Sequence, residues 1–289
     1  MLRTCRKCPT ISCANWETSR RVGTRDALLV HCFNVRDVGG LSESMREQAA
    51  PLLEKQKNVL EQQGLNVATK MVAGLPHIDL NRIADEENCS LIAIGSHGRS
   101  TAGDYLLRGI LGGVAAAVIQ SATKPVLLLR LEPTGEGDSA RCAPTTCNLR
   151  EHVLFPTDFS DNADQAFAYV EKLATSGAKR ITLLHVQDQT RIEKHLTERL
   201  DEFNRIDQGR LERLRTRVQE IADVSVNIRI PYGRPAEEIL KIAGELEPDG
   251  EIVMGSQGRG FWAQVFLGSV SEKVASRAPT PVLLVPAPR

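Results

Sequence analysis

The sequence predicts an α/β protein built from two doubly wound, five-stranded parallel-sheet domains, the first lacking a clear first strand. Three observations carry this expectation. The chain has 289 residues, more than one domain of ordinary size holds. It repeats itself at a nearly constant offset. Within the repeat, short apolar runs alternate with segments of helical period, as in a parallel sheet covered on both faces.

The repeat is read from three ordered matches. LIAIGSHGRS at 91–100 corresponds to EIVMGSQGRG at 251–260, an offset of 160. LLVH at 28–31 corresponds to TLLH at 182–185, an offset of 154, and KPVLLL at 124–129 to TPVLLV at 280–285, an offset of 156. Ordered matches near one offset indicate duplication. The change from 160 to 156 places four extra residues in the glycine loop of the first copy. The expected layout is a degenerate copy over 1–131 with residues 1–26 atypical, a linker over 132–150, and a complete copy over 151–289. The linker is dense in Pro, Gly, Ser and Thr and shows no apolar period.

The second copy reads element by element. VLFPTD (153–158) is a short apolar run closed by Pro and Asp, hence a strand. A helix follows, with Ala166, Val170, Leu173 and Ala174 on one face and Gly177 as its stop. ITLLHV (181–186) is a buried strand. Residues 190–222 form a long charged helix striped by Leu196, Leu200, Phe203, Leu211, Leu214, Val218 and Ile221. VSVNIRI (224–230) alternates as a strand, and Pro235 opens a helix over 235–246. EIVMG is a strand, SVSEKVASRA a helix and TPVLLVP the last strand. Right-handed crossovers make this a doubly wound sheet. Ligands of such sheets bind at the carboxyl ends of the strands, at the topological switch point. The loops after the first and fourth strands are therefore the places to look.

Composition narrows the function. Lys plus Arg and Asp plus Glu both number 36, so net charge is zero. That removes any global electrostatic claim on nucleic acid or an acidic membrane. Only 4% of residues are aromatic, too few for stacking platforms along a single strand. The N-terminal stretch has no apolar run of a secretory signal, so the cytoplasm is the expected location. Cysteines 5, 8, 13, 32, 89, 142 and 147 all precede the second copy, which argues against a disulfide framework. Cys5-x-x-Cys8 is half a zinc site, and Cys142-x4-Cys147 has the wrong spacing to complete it. No metal ligands are assigned.

The loop after the fourth strand runs Gly255-Ser256-Gln257-Gly258-Arg259-Gly260, and nine residues separate Gly258 from Gly268. Glycines let a phosphate approach the backbone. Gly268-Ser269 opens the last helix, whose free N–H groups and dipole favour an anion. The same residues fit a capping box, Ser269 capping and Glu272 reaching back. A Walker loop, G-x-x-x-x-G-K-[ST], is absent from the sequence. Gly258 to Ala263 matches G-x-G-x-x-A, but only one strand remains after it, so the match is a coincidence. The loop after the first strand holds Pro156-Thr157-Asp158. Asp158 suits either an adenine amino or ribose hydroxyl group, or a helix N-cap.

At this point the second copy resembles a universal stress protein domain, over residues 151–287. The likeness rests on V-L-x-P-T-D-F-S at 153–160, L-L-H-V at 183–186, G-R-P-A-E-E-I at 233–239, G-x-x-G-x9-G-S from Gly255 to Ser269, and P-V-L-L-V at 281–285. The resemblance implies an adenine-nucleotide α-hydrolase-like fold and a bound adenine nucleotide: ATP, AMP or ADP, with Mg as a candidate companion. It implies that Asp158, with Pro156 and Thr157, and the backbone of Val186 hold the adenine and ribose side. Gly255, Gly258, Gly268 and Ser269 would surround the phosphates, with Val270, Met254 and Ser256 beside them and Arg259 neutralising charge. Gln257 stands where members of the family often carry His.

The first copy departs further. Thirteen residues separate Gly98 from Gly112, and Gly113 replaces the serine. Counting back 27 residues from His31, as Asp158 lies before His185, lands on Thr4, with neither aspartate nor apolar strand nearby. A damaged pocket is expected there. Either the copy decayed into a structural partner, or residues 1–26 are a misread start, which the upstream DNA read in its other two frames would decide. Members of the family usually pair through the last strand. Val126, Leu127 and Leu128 would then pair with Val282, Leu283 and Leu284 within the chain, and two chains would associate into a homo-oligomer. The expected function is a nucleotide-dependent stress or regulatory protein. The alternatives are a nucleotide-free scaffold and a slow ATPase. No catalytic residue is assigned, and His185 reads as a satisfied core histidine.

Overall fold

In a computed structural model, the residues described are 2–3, 25–34, 42–96, 111–134, 141–144, 151–192, 198–245, 250–258 and 267–287. The chain divides into two compact units, Met1–Cys147 and Asn148–Arg289. Among the described residues, no helix is long and apolar enough to cross a membrane.

The second unit carries five parallel strands: β8 (His152–Pro156), β9 (Arg180–Leu184), β11 (Ser225–Arg229), β13 (Gly250–Gly255) and β14 (Val282–Val285). Their spatial order is β11-β9-β8-β13-β14. The switch point therefore lies between β8 and β13, the two strands whose loops the sequence singles out. All residues of β8, β13 and β14 are buried, whereas β11 alternates as an edge strand must.

Helices cover the sheet. The helix Asp161–Thr175, here α4, buries Ala166, Phe167, Val170, Leu173 and Ala174. Its chain reverses at Gly177, whose φ of 94° only glycine adopts without strain. The next helix, α5, spans Leu200–Ile221, and residues 190–192, predicted to open it, are turn and bend instead. The reason is local. Asp188 Oδ1 accepts the N–H of Thr190 at 2.9 Å, a turn that competes with helix. Gln187–Asp188 (β10) instead pairs with Tyr232–Gly233 (β12) as a short parallel ribbon. The predicted stripe shifts too. Leu211, Leu214 and Val218 are buried, but Ile221 is exposed, and the stripe is continued by the buried Asp207 rather than Phe203. Leu196 lies outside the described residues. Helices α6 (Pro235–Glu245) and α7 (Ser269–Arg277) complete the unit.

The first unit repeats the order. Strands β2 (Asp26–Asn34), β3 (Asn66–Gly74), β4 (Ile92–Gly95) and β5 (Val126–Leu129) surround a two-residue strand β1 (Leu2–Arg3), in the order β3-β2-β1-β4-β5. The place of the expected but unrecognised first strand is thus held by Leu2–Arg3, paired to Leu29, Val30 and Ala93. Two residues are too few to leave a periodic trace in the sequence. Its helices are α1 (Ser42–Gln62), α2 (Pro76–Glu86) and α3 (Gly113–Ser121). Within the predicted linker, Leu131–Thr134 (β6) pairs antiparallel with Arg141–Pro144 (β7). Cys89 is a free thiol. Cys5, Cys8, Cys13 and Cys147 lie outside the described residues.

One core position is costly. Glu251, second in β13, is 2% exposed, and its Oε1 has no hydrogen-bond partner. Burial pushes its carboxyl up from 4.5 to about 8. The repeat places Leu91 at this position in the first copy. Because the folded state holds the proton that the unfolded state releases, stability falls as pH rises from 4.5 to about 8 and levels off above. We therefore expect E251L to raise Tm at pH 7.5 by several degrees, about 3–8 °C, and to flatten Tm against pH across that window in thermal melts. Parallel curves for both proteins would remove Glu251 as the cause.

Candidate functional site

The site is built where β8, β9 and β13 end. After β8 the chain runs Thr157-Asp158-Phe159-Ser160 before α4. The N-cap of α4 is Ser160, whose side chain accepts the N–H of Ala163 at 3.2 Å. Asp158 is not the cap. Its Oδ1 accepts from the Ser160 amide at 3.1 Å and the Ser160 hydroxyl at 2.6 Å. This Asx turn aims the carboxylate at the opposite loop: a Cβ added at Gly258 would come within 3.0 Å of Asp158 Oδ2. Phe159 takes φ of 57°, an uncommon value for a bulky residue. Its N–H donates to Thr157 Oγ1 at 2.9 Å, and its ring lies 4.7 Å from that of His185. These contacts hold a conformation that costs on the order of 1–2 kcal/mol.

After β13 comes the glycine turn. Ser256 N–H donates to Val285 O at 2.8 Å, and Gly268 N–H donates to Ser256 O at 2.8 Å. The turn is thereby pinned between the end of β14 and the start of α7. The N-cap of α7 is Gly268, not Ser269, and no side chain caps it. This corrects the capping-box reading: Ser269 is already the first helical residue, one position too late for its hydroxyl to cap. The first amides of α7, which like those of any helix have no intrahelical acceptor, consequently gain none from an N-cap side chain either. Ser271 Oγ donates instead to Gly255 O at 2.9 Å, fixing the helix to the strand end.

These loops face one cavity of about 440 Å³, a size ordinary for a small-molecule site. Of the predicted site residues, Pro156, Thr157, Asp158, Val186, Met254, Gly255, Gly258, Gly268, Ser269 and Val270 line it. Ser256 is buried behind the turn and supports it through its backbone. Arg259 lies outside the described residues. Gln257, Ser271 and His185 line the cavity as well. His185 is satisfied, as expected of it, but at the cavity wall rather than in the strand, since β9 ends at Leu184. Its Nδ1 lies 2.8 Å from Thr157 O, and a carbonyl only accepts, so Nδ1 carries the proton.

The far wall was not foreseen. It comes from α5 and the segment after β9: Arg191, Ile192, Phe203, Ile206, Asp207 and Arg210. The buried Asp207 organises it. Asp207 Oδ2 accepts from Gln187 Nε2 at 2.9 Å and faces His185 Nε2 at 3.5 Å. Asp207 Oδ1 accepts from Arg210 at 3.0 Å. Arg210 in turn lies over the Phe159 ring at 5.1 Å. In sequence, charged residues on a long helix read as its solvated face. Only the alternation of Asp207 with the Leu211, Leu214 and Val218 stripe hints otherwise.

The first unit keeps half of this arrangement. Ser96 N–H donates to Leu129 O at 2.8 Å, Gly112 N–H to Ser96 O at 3.0 Å, and Gly112 is the N-cap of α3 without a side-chain cap. These two backbone bonds repeat those of Ser256 and Gly268 in the second unit. The acidic half of the expected damage, around Thr4, lies outside the described residues.

Comparison with known proteins bears on this arrangement. A sequence model of the universal stress protein family matches residues 24–130 and again 150–286. A universal stress protein of Methanocaldococcus jannaschii is 34% identical over 155 residues, covering 47% of this chain and 95% of that protein. One from Mycolicibacterium smegmatis is 25% identical over 249 residues, covering 84% of this chain and 78% of its own. The crystal structure of a universal stress protein from Archaeoglobus fulgidus superimposes with a TM-score of 0.65 at 24% identity, covering 92% of this chain and 90% of that one. The last is a likeness of fold.

Removing the organising carboxylate leaves Gln187 and Arg210 without their shared acceptor, a loss of roughly 1–3 kcal/mol for buried groups. D207A is expected to lower Tm by about 3–8 °C, measured by thermal melting. A Tm within a degree of wild type would show that Asp207 does not hold this wall.

Proposed function

The chain belongs to the universal stress protein family, and on that premise we propose that its second domain binds an adenine nucleotide, ATP first, to act in a stress response or regulation. The observation that carries the reading is the start of α7. A glycine N-cap leaves the helix amides without a side-chain acceptor, and the cavity wall they form suits a phosphate. The attraction needs no net positive charge, because oriented amides and the helix dipole supply it. An adenine and ribose would lie toward Asp158 and Val186, on the β8 and β9 side. Phosphates would lie against Gly255, Gly258, Gly268, Ser269 and Val270. Arg259 and Mg are proposed only as counter-charges to them.

Within this reading the residues bind and orient. Nucleotide binding would order the glycine turn and shift a population of conformers, the form of signalling open to a binding protein. A homo-oligomer in the cytoplasm is part of the same proposal. A nucleotide-free scaffold would leave the cavity unused, and a slow ATPase would release phosphate above a no-protein control.

The test is titration of the full chain with ATP by calorimetry. We expect one nucleotide per chain. G268V should weaken binding by about 100-fold or more. A Cβ at Gly268 already lies 3.4 Å from Ser256 O and 3.5 Å from Gly258 N, so the two added methyls must displace the turn. Equal heats from wild type and G268V would overturn the reading, and two nucleotides per chain would give the first domain a working pocket.

A further inference from the structure

Asn162 is not among the cavity's lining residues, yet it bonds both the glycine turn and the strand end to which that turn is tied. It sits in the first turn of α4 and is buried, 6% exposed. Its Nδ2 donates to Val285 O, the last carbonyl of β14, at 3.0 Å. Its Oδ1 accepts the N–H of Gln257, inside the turn, at 2.9 Å. One amide thus joins three elements: the helix that follows the Asp158 loop, the end of the last strand, and the turn itself. A side chain with a donor and an acceptor at fixed separation is required, since each partner demands the opposite role.

The same side chain explains a glycine. A Cβ built on Gly255 would lie 2.6 Å from Asn162 Oδ1, 2.9 Å from its Cγ and 3.2 Å from its backbone carbonyl carbon, so the side chain is the severest of the clashes. Gly255 belongs to β13 and its φ is not positive, so no left-handed conformation calls for glycine there. Space for the Asn162 amide does.

We propose that Asn162 is the positioning residue of the phosphate turn, holding Gly255-Ser256-Gln257-Gly258 in its binding shape before any ligand arrives, and that it is the reason residue 255 is glycine. The proposal deepens the nucleotide reading and rests on it for the identity of the ligand. The hold on the turn is a property of the protein alone. Asn162 also sets the spacing between the two halves of the site, because α4 carries the Asp158 loop at its start.

The test has two arms on the full chain. The first needs no nucleotide: amide hydrogen exchange at Gln257, read by NMR against Val253 in the core of β13. N162A is expected to speed exchange at Gln257 by about tenfold or more while leaving Val253 unchanged. N162D keeps the acceptor for Gln257 but sets a buried carboxylate oxygen against Val285 O, so it should not restore full protection. The second arm is ATP titration of N162A, G255A and the double variant. Each single variant should weaken binding by about tenfold. G255A should cost clearly less in the N162A background, where its Cβ meets only the α4 backbone and no amide. Unchanged exchange in N162A, full protection in N162D, or an equal cost of G255A in both backgrounds would overturn the proposal. Failure of the wild type to bind ATP would instead remove the nucleotide reading, with the exchange arm still deciding the role of Asn162.

Discussion

The second domain depends on how a single turn is anchored. Residues 255–258 leave the fourth strand and are tied at once to the end of the fifth strand by Ser256 N–H, to the start of α7 by Ser256 O, and to α4 by the Asn162 amide. Every one of these partners is backbone or buried side chain, so little conformational freedom remains to be lost on binding. A site preorganised in this way keeps more of its interaction energy as affinity. The anchoring also decides where α7 begins. With Gly268 held against Ser256, the helix starts on a residue that has no side chain to satisfy its amides, and those amides are turned to the cavity.

The opposite wall is built by different physics. The glycine turn is a backbone device, neutral and rigid. The α5 wall is a hydrogen-bonded cluster around the buried Asp207, with Gln187 and Arg210 as partners. Such networks are stable only when every member is satisfied. The wall is joined to the Asp158 loop through Phe159, whose ring meets both His185 and Arg210. A change at the Asp158 side of the cavity therefore has a physical route to α5, whereas the glycine-turn side is linked to β14. These are the two elements through which an occupied cavity would differ from an empty one.

Much of the fold was legible in the sequence because a parallel sheet leaves apolar runs, and a duplication writes them twice. The glycine turn was legible because a larger residue would clash with Asn162 at Gly255 and be crowded by Asp158 at Gly258. Boundaries were less so. Ser160 rather than Asp158 caps α4, and Gly268 rather than Ser269 caps α7. In both cases several neighbouring residues can cap, and the choice falls to tertiary contacts. The start of α5 moved because an Asx turn at Asp188 and a two-residue ribbon outcompete helical propensity. The α5 wall was invisible for a further reason. Asp207 and Arg210 look like solvated helix charges until the fold sets them against His185, which lies 22 residues earlier in the chain.

The central claim is that the amides opening α7, together with the glycine turn, receive the phosphates of an adenine nucleotide. It is tested most directly by backbone amide NMR of the full chain titrated with ATP and, separately, with adenosine. The account predicts that ATP shifts the amides of Gly258, Ser269, Val270 and Ser271, and that adenosine shifts those near Asp158 and Val186 but leaves the α7 amides in place. Equal perturbation of the α7 amides by both ligands, or none by ATP, would contradict it.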